Sequence, residues 1–281
     1  MGKKDIRGKE SRTCWNPRAV GRGYPKVTGI LVIAIGKATK IIPLLLTMRK
    51  QYICIMKIHG DFNEKKLRKI VNEFIGPIYQ RPPLRSSVKR VIRIRRIYNI
   101  EILEIHNRRV LMKIDCESGT YIRKLCYDIG DVLGPGAHME ELRRTKVGHF
   151  EEKDAVTLYD VLDAYKIWKE EGEEKFLRKV LLPVEYAVQN TPKIFIKDSA
   201  VSALCHGAHL AIPGIIGVET DIKVGDMVAI LTINNRLVGI GQALMTSEEM
   251  VSEDRGLAVK PSAILLEPKD YPPDWKKKKF N

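Results

Sequence analysis

The residue types from which enzymes build metal, phosphate and nucleophilic sites are present in this sequence, but not at spacings that make such a site. His59, His138, His149, His206 and His209 share no metal-ligand pattern and read as structural or surface groups. Cys14, Cys54, Cys116, Cys126 and Cys205 are scattered without a C-x-x-C pair. That indicates neither a zinc site nor a disulfide framework, and it leaves reduced, mostly buried thiols. Gly21, Gly23 and Gly29 are not followed by Lys-Ser/Thr and make no phosphate loop. What the sequence concentrates is cations. Lys and Arg total 49 against 34 Asp and Glu, a net charge of +15. Each phosphate neutralised by such charge releases counterions, so the indicated partner is a nucleic acid.

The elements that must carry these groups are legible in part. The 281 residues suffice for one large domain with a small one, or for two medium ones. With 44% hydrophobic and 30% charged residues the chain can bury a core. No apolar run reaches the roughly 20 residues of a membrane helix. Met1 to Pro25 is basic and polar with no apolar signal core, so the expectation is a soluble, cytoplasmic protein (nucleolar if the cell is eukaryotic). Residues 1–24 carry no helical or strand period. Ile30 to Ile35 reads as a buried strand ended by Gly36, and Gln51 to Ile58 as a second. Asp61, with Glu64 three residues on, predicts the cap of a helix carrying Leu67, Ile70, Val71, Phe74 and Ile75. Arg81-Pro82-Pro83 forces an extended segment.

Val88 to Ile97 sets Ile92 and Ile94 among Lys89, Arg90, Arg93, Arg95 and Arg96, a strand with one strongly basic face. Val110 to Cys116 predicts a strand, and Glu117-Ser118-Gly119 turns into a helix with Ile122, Leu125 and Ile129. Thr157 caps a helix through Leu158, Val161, Leu162, Tyr165 and Trp168. Strands and helices without strict alternation predict an α+β fold. After Thr191-Pro192, short β segments such as Val228 to Ile233 and Leu237 to Ile240 alternate with turns at Pro213-Gly214, Gly225-Asp226 and Asn234-Asn235, which predicts a small β domain. Lys276 to Lys279 lies in a basic tail, a solvated charge run.

Three stretches, taken in order, resemble one family. Pro25-Lys26-Val27-Thr28-Gly29-Ile30-Leu31 resembles the second half of the TruB/dyskerin active-site motif G-H-x-G-T-L-D-P-x-x-T/S-G. Gln80-Arg81-Pro82-Pro83 with Ser87-Val88-Lys89-Arg90 resembles the family's QRPP…VKR segment. Gly119-Thr120-Tyr121-Ile122-Arg123, followed by His138 to Thr145, resembles the motif completing that site. Asp198-Ser199-Ala200, Gly207-Ala208, Pro213-Gly214, Gly225-Asp226 and Gly241 to Met245 are similar to a PUA domain. The likeness spans residues 25–275 and is nearest the archaeal and eukaryotic dyskerin branch.

The resemblance implies a mixed or antiparallel-sheet pseudouridine synthase domain over residues 25–190, a barrel-like PUA domain over 191–266 and a basic tail over 267–281. It implies isomerisation of uridine in structured RNA: the base is detached from its ribose, rotated and reattached through carbon, with no metal or redox cofactor. Implied partners are tRNA, or rRNA with an H/ACA guide RNA and its proteins. Tyr52 matches the tyrosine that stacks on the target base, and Arg123 the arginine that pairs with the catalytic carboxylate. Tyr121 matches a pocket wall and Leu142 a packing residue near the base. Lys89, Arg90, Arg143, Arg144 and Lys146, and in the PUA domain Gly207, Pro213 and Gly214, are the implied RNA contacts.

One position departs from the pattern. The family's catalytic aspartate stands just before the Pro of "DP", and here that place is Tyr24. A phenol with a pKa near 10 is protonated at pH 7 and does not replace a carboxylate. Codons allowed for Lys9 to Pro17, read one base later, spell K-K-A-G-H-A-G-T-L, with the glycine from Trp15 forced by its single codon. Removing the stretch from the Ala19 codon through the second base of the Tyr24 codon joins that frame to Pro25 through an aspartate codon. The expectation is an unremoved intron or a frame error, with a further segment missing upstream. Taken literally, Tyr24 instead predicts a non-catalytic RNA-binding scaffold.

Overall fold

The structure, a computed structural model, describes residues 18–19, 27–82, 89 and 91–267. Tyr24 and Arg90, the frame-shifted stretch and the tail lysines lie outside the described residues. The chain divides into two compact units, one formed by Ala19–Val32 with Leu44–Leu162, the other by Ile33–Pro43 with the chain from Asp163 onwards.

The first unit is a mixed seven-stranded sheet. Its strands are β1 (Val27–Gly29), β2 (Lys50–Ile58), β3 (Gly76–Gln80), β4 (Arg93–His106), β5 (Arg109–Cys116), β6 (Ala137–Val147) and β7 (Phe150–Glu151). The order is β1-β6-β2-β5-β4-β3, with β7 also on β6. Only the β1–β6 contact is parallel; the other ladders are antiparallel. Helices α1 (Glu64–Glu73) and α2 (Ile122–Leu133) supply the apolar stripes that the sheet needs on its core face. Leu67, Ile70 and Val71 of α1 and Leu125, Cys126 and Ile129 of α2 meet Cys54, Met56, Ile58, Met112 and Ile114 in one buried cluster. Alternation along β2 and β5 is what places those strand residues together on one face.

Several expectations need correction. The Ile30–Ile35 run is not one buried strand: the chain leaves the sheet after Gly29, and strand geometry returns only at Ile33–Ala34. Leu31 and Ile33 are exposed while Ile30 and Ala34 are buried. The first helix is capped by Asn63, whose side chain accepts from the Lys66 amide at 3.1 Å. Asp61 instead pairs with Arg108 at 2.7 Å. In the basic stretch the strand begins at Arg93, and its pleat exposes Ile94 and Arg96 while Arg93 and Arg95 are half-buried. Apolar and cationic residues therefore share the outer face. Thr157 does cap the helix α3 (Leu158–Glu171), its hydroxyl accepting from the Asp160 amide at 3.2 Å.

The second unit continues through α4 (Lys175–Val180) into a six-stranded sheet. Its strands are β8 (Lys193–Ile196), β9 (Leu210–Ala211), β10 (Ile215–Val218), β11 (Met227–Thr232), β12 (Leu237–Ala243) and β13 (Leu257–Ile264), in the order β9-β13-β12-β11-β8-β10. β8 and β11 run parallel. Two short helices, α5 (Asp198–Cys205) and α6 (Ser247–Ser252), add Val201, Leu204 and Met250 to a core built on Ile194, Ile196, Val228, Ile230, Val238 and Val259. The Glu185 carboxylate accepts from the Leu237 amide at 3.0 Å, which fastens the preceding segment to this sheet. Among the described residues no helix is long and apolar enough to cross a membrane. Cys54, Cys116, Cys126 and Cys205 are free thiols, the first three buried.

Candidate functional site

Tyr52, Leu142 and Arg144 lie on adjacent strands near the end of the sheet where β2 begins and β6 ends. Tyr52 is directly opposite Ile114 on β5 and Arg144 on β6. It packs against the core cluster, and burial pushes its phenol up from its ordinary value, while a hydrogen bond from Arg144 acts in the opposite sense. The hydroxyl is therefore protonated at neutral pH and can donate. Leu142 is 8% exposed, held between Cys54 on β2 and Val27 on β1.

Arg143 and Arg144 point to opposite faces of β6, as the strand pleat requires. Arg144 donates from Nε and Nη2 to the Ile30 carbonyl at 2.9 and 2.7 Å, and the Ile30 amide donates to the Arg144 carbonyl at 2.9 Å. The β1 segment is thus clasped at both ends of one residue. Gly29 makes this possible: its φ is +94°, and a Cβ there would stand 2.1 Å from the Arg144 carbonyl oxygen. Arg143 reaches the other way and pairs with Glu152 at 2.5 Å.

Beside this, the end of β5 turns through Glu117–Thr120 into α2. Tyr121 takes the N-cap position and Arg123 sits, exposed, in the first turn. That turn is tied back to the start of β2 by Lys50, whose ammonium donates to the Leu46 and Met48 carbonyls, both at 2.7 Å, and to the Ser118 hydroxyl at 2.9 Å. Burial, with the nearby Arg144 charge second, lowers the Lys50 pKa to about 8. Between about 8 and 10.5 the unfolded chain holds a proton that the folded chain has released, so folding stability rises with pH across that window and falls as pH drops through 8. Urea midpoints of the protein and of Lys50→Met, taken from pH 7 to pH 10.5, should shift in favour of the unsubstituted protein as pH rises. A pH-independent difference would mean that Lys50 stays charged.

The remaining cations are less concentrated than the sequence suggests. Lys146 donates to Glu151 at 2.6 Å, and with Lys153 it holds that carboxyl down to about 2. Lys89 is exposed. In the second unit Gly207 has φ +90° just past α5, and Lys197 donates to the Pro213 carbonyl at 2.7 Å. The Lys197 amide bonds the Gly214 carbonyl at 2.8 Å, and a Cβ on Gly214 would lie 2.9 Å from that of Ala200. Two residues near this end of the sheet were not assigned any role from sequence: Lys50, which had no signal, and Gln80, which stood in a quoted motif and is only 2% exposed. Among the described residues no cluster of three or more His, Cys, Asp or Glu could hold a metal ion.

Comparison with known families identifies the domains that carry these residues. Residues 21–122 match the model of the TruB family pseudouridylate synthase N-terminal domain, residues 123–189 that of the tRNA pseudouridylate synthase B C-terminal domain, and residues 192–265 the PUA domain. The probable tRNA pseudouridine synthase B of Methanopyrus kandleri is 55% identical over 251 residues, 89% of this chain and 74% of that protein. This chain belongs to the TruB family of pseudouridylate synthases. The corresponding TruB protein of Archaeoglobus fulgidus is 52% identical over 252 residues, 90% of this chain and 78% of its own. Solved structures agree on the fold. A Cbf5–Nop10–Gar1 complex matches with a TM-score of 0.87 at 48% identity, covering 92% of this chain and 78% of that one. An H/ACA RNP bound to a substrate RNA containing 2'-deoxyuridine matches at 0.84 and 44% identity, covering 92% and 79%. The TruB architecture, a mixed-sheet catalytic domain followed by a PUA domain, is the α+β organisation expected from the sequence.

Proposed function

We propose that this chain carries the site of an RNA pseudouridine synthase, converting uridine to pseudouridine in structured RNA, and that Tyr24 leaves it without its nucleophile. The observation that supports this most directly is the convergence of Tyr52, Leu142 and Arg144 on one face of one sheet, close to the end where α2 starts with Tyr121 and Arg123. In this reading Tyr52 stacks on the target base and offers a protonated hydroxyl, while Leu142 and Tyr121 line its pocket. Arg123 pairs with the carboxylate that Tyr24 displaces. Arg144, an RNA contact by its motif, here holds the β1 segment beside Tyr52 instead, and Arg143, Lys146, Lys89 and Arg90 are the phosphate contacts. Residues 25–190 form the catalytic domain, and residues 191–266, with Gly207, Pro213 and Gly214 at their RNA-facing turns, add affinity. In this reading the protein works in the cytoplasm, which its likeness to archaeal relatives favours.

Two modes are open to such a protein. The curated relatives are named for tRNA, whereas the structural neighbours are assembled with Nop10, Gar1 and a substrate RNA. The non-catalytic scaffold is the second reading, favoured by Tyr24 itself. One experiment tests all three. A chain restored so that Gly-His-Ala-Gly-Thr-Leu-Asp-Pro runs into Lys26 is incubated with a T-loop stem-loop alone, and separately with an H/ACA guide, its target RNA and the two partner proteins. Pseudouridine is mapped by carbodiimide-dependent reverse-transcription stops. A stop at the target uridine in either reaction is the expected result and assigns the mode. Its absence from both, with RNA bound, leaves only the scaffold.

A further inference from the structure

We infer that Gln80 is a positioning residue of the proposed site: its side-chain amide holds the backbone of Tyr121, and through it the entry to the helix that carries Arg123. The inference rests on the reading of the site given above. It is carried by a different observation.

Gln80 is the last residue of β3, paired with Arg93 of β4, and it is 2% exposed. A buried primary amide is costly unless both of its ends are satisfied. Here they are, by one residue 41 positions away. The Tyr121 amide donates to Gln80 Oε1 at 2.8 Å, and Gln80 Nε2 donates to the Tyr121 carbonyl at 3.1 Å. The side chain thus imitates the pairing of a neighbouring strand. Tyr121 occupies the N-cap position but makes no side-chain capping bond, and its carbonyl already accepts from the Leu125 amide at 3.0 Å. The first turn of α2 is therefore fastened from outside the helix, by β3.

The chemistry requires an amide at this place. An alanine removes both bonds and leaves the Tyr121 N–H and a second carbonyl lone pair without their partner. A glutamate keeps the shape, but once ionised it can only accept, and it sets a charge against the Tyr121 carbonyl. Burial raises the pKa of such a carboxyl. When protonated it donates again, so Gln80→Glu is a substitution that pH should repair.

The test uses the full chain as it stands and a T-loop stem-loop carrying 5-fluorouridine at the target position. Total affinity is measured by filter binding, and entry of the base into the pocket by the displaced fluorine resonance of the bound RNA. For Gln80→Ala the displaced resonance should fall at least tenfold in population while affinity changes less than about threefold, since an interior amide touches no phosphate. Gln80→Glu should behave like the alanine variant at pH 8 and recover the resonance near pH 5.5, roughly where a buried carboxyl regains its proton. Should the alanine variant not fold, the glutamate titration decides alone. A displaced resonance that survives in both variants, or a loss in Gln80→Glu that is the same at both pH values, overturns the inference. An unaltered chain that binds the RNA with no displaced resonance overturns the site reading, and this inference with it.

Discussion

Uridine tritiated at C5 in a T-loop stem-loop should release its label at the background rate with the chain as written, and faster by a factor on the order of 10⁴ or more once the Gly-His-Ala-Gly-Thr-Leu-Asp-Pro sequence is restored. The magnitude follows from what is missing. In the proposed site the reaction turns on one carboxylate acting at the ribose, and the positioning of the other groups would not replace it. A tyrosine in that place would be no substitute, because a phenol is protonated at neutral pH. The described part of the site does not depend on that residue: Gly29, Ile30 and Arg144 hold the β1 strand by their own bonds. RNA binding should therefore differ between the two chains by only a few-fold. Label release well above background from the chain as written would mean that another carboxylate serves, and would remove Tyr24 from the nucleophile's place.

Arg123→Ala in the restored chain should lower kcat by about 10²–10³ and leave the RNA dissociation constant within about threefold. Arg123 lies in the first turn of α2, where the helix dipole and the guanidinium charge act together on an anion placed at the N-terminus. An arginine beside a carboxylate lowers its pKa and fixes its orientation through paired hydrogen bonds. Without it the aspartate regains a higher pKa, so the acidic limb of the kcat profile should move to higher pH. Arg123→Lys should recover little, because an ammonium cannot form the forked pair. Equal losses in turnover and in RNA binding, with no movement of the pH limb, would assign Arg123 to a phosphate contact.

Much of the scaffold was legible because it is local. Leu67, Ile70 and Val71 recur at helical spacing and are buried in α1, and Thr157 caps α3 as its place before the apolar run predicts. The strand β6 was not legible. His138 to Lys146 is dense in charge and has no clean alternation, so nothing in that stretch announces a strand paired on both sides. It is one because β2 pairs with it on one side and β1 and β7 on the other. The Asp61 cap failed for a related reason. Arg108, far along the chain, takes the carboxylate, and the nearer Asn63 caps the helix.

By itself the sequence determined the family, through ordered motifs whose residue types survive whatever the strands do around them, and it determined the basic character of the protein and the conflict at Tyr24. The tertiary structure alone decided which groups meet. Neighbouring Arg143 and Arg144 read alike in the sequence, yet the pleat sends one to Glu152 and the other to Ile30 and Tyr52. Gln80 and Lys50 became visible only when chain segments 41 and 68 positions away folded against them. Propensity and capping act over a few residues and are written in the local sequence. Strand register and the pairing of buried polar groups are set between distant segments, where one residue's partner depends on how the whole sheet is aligned.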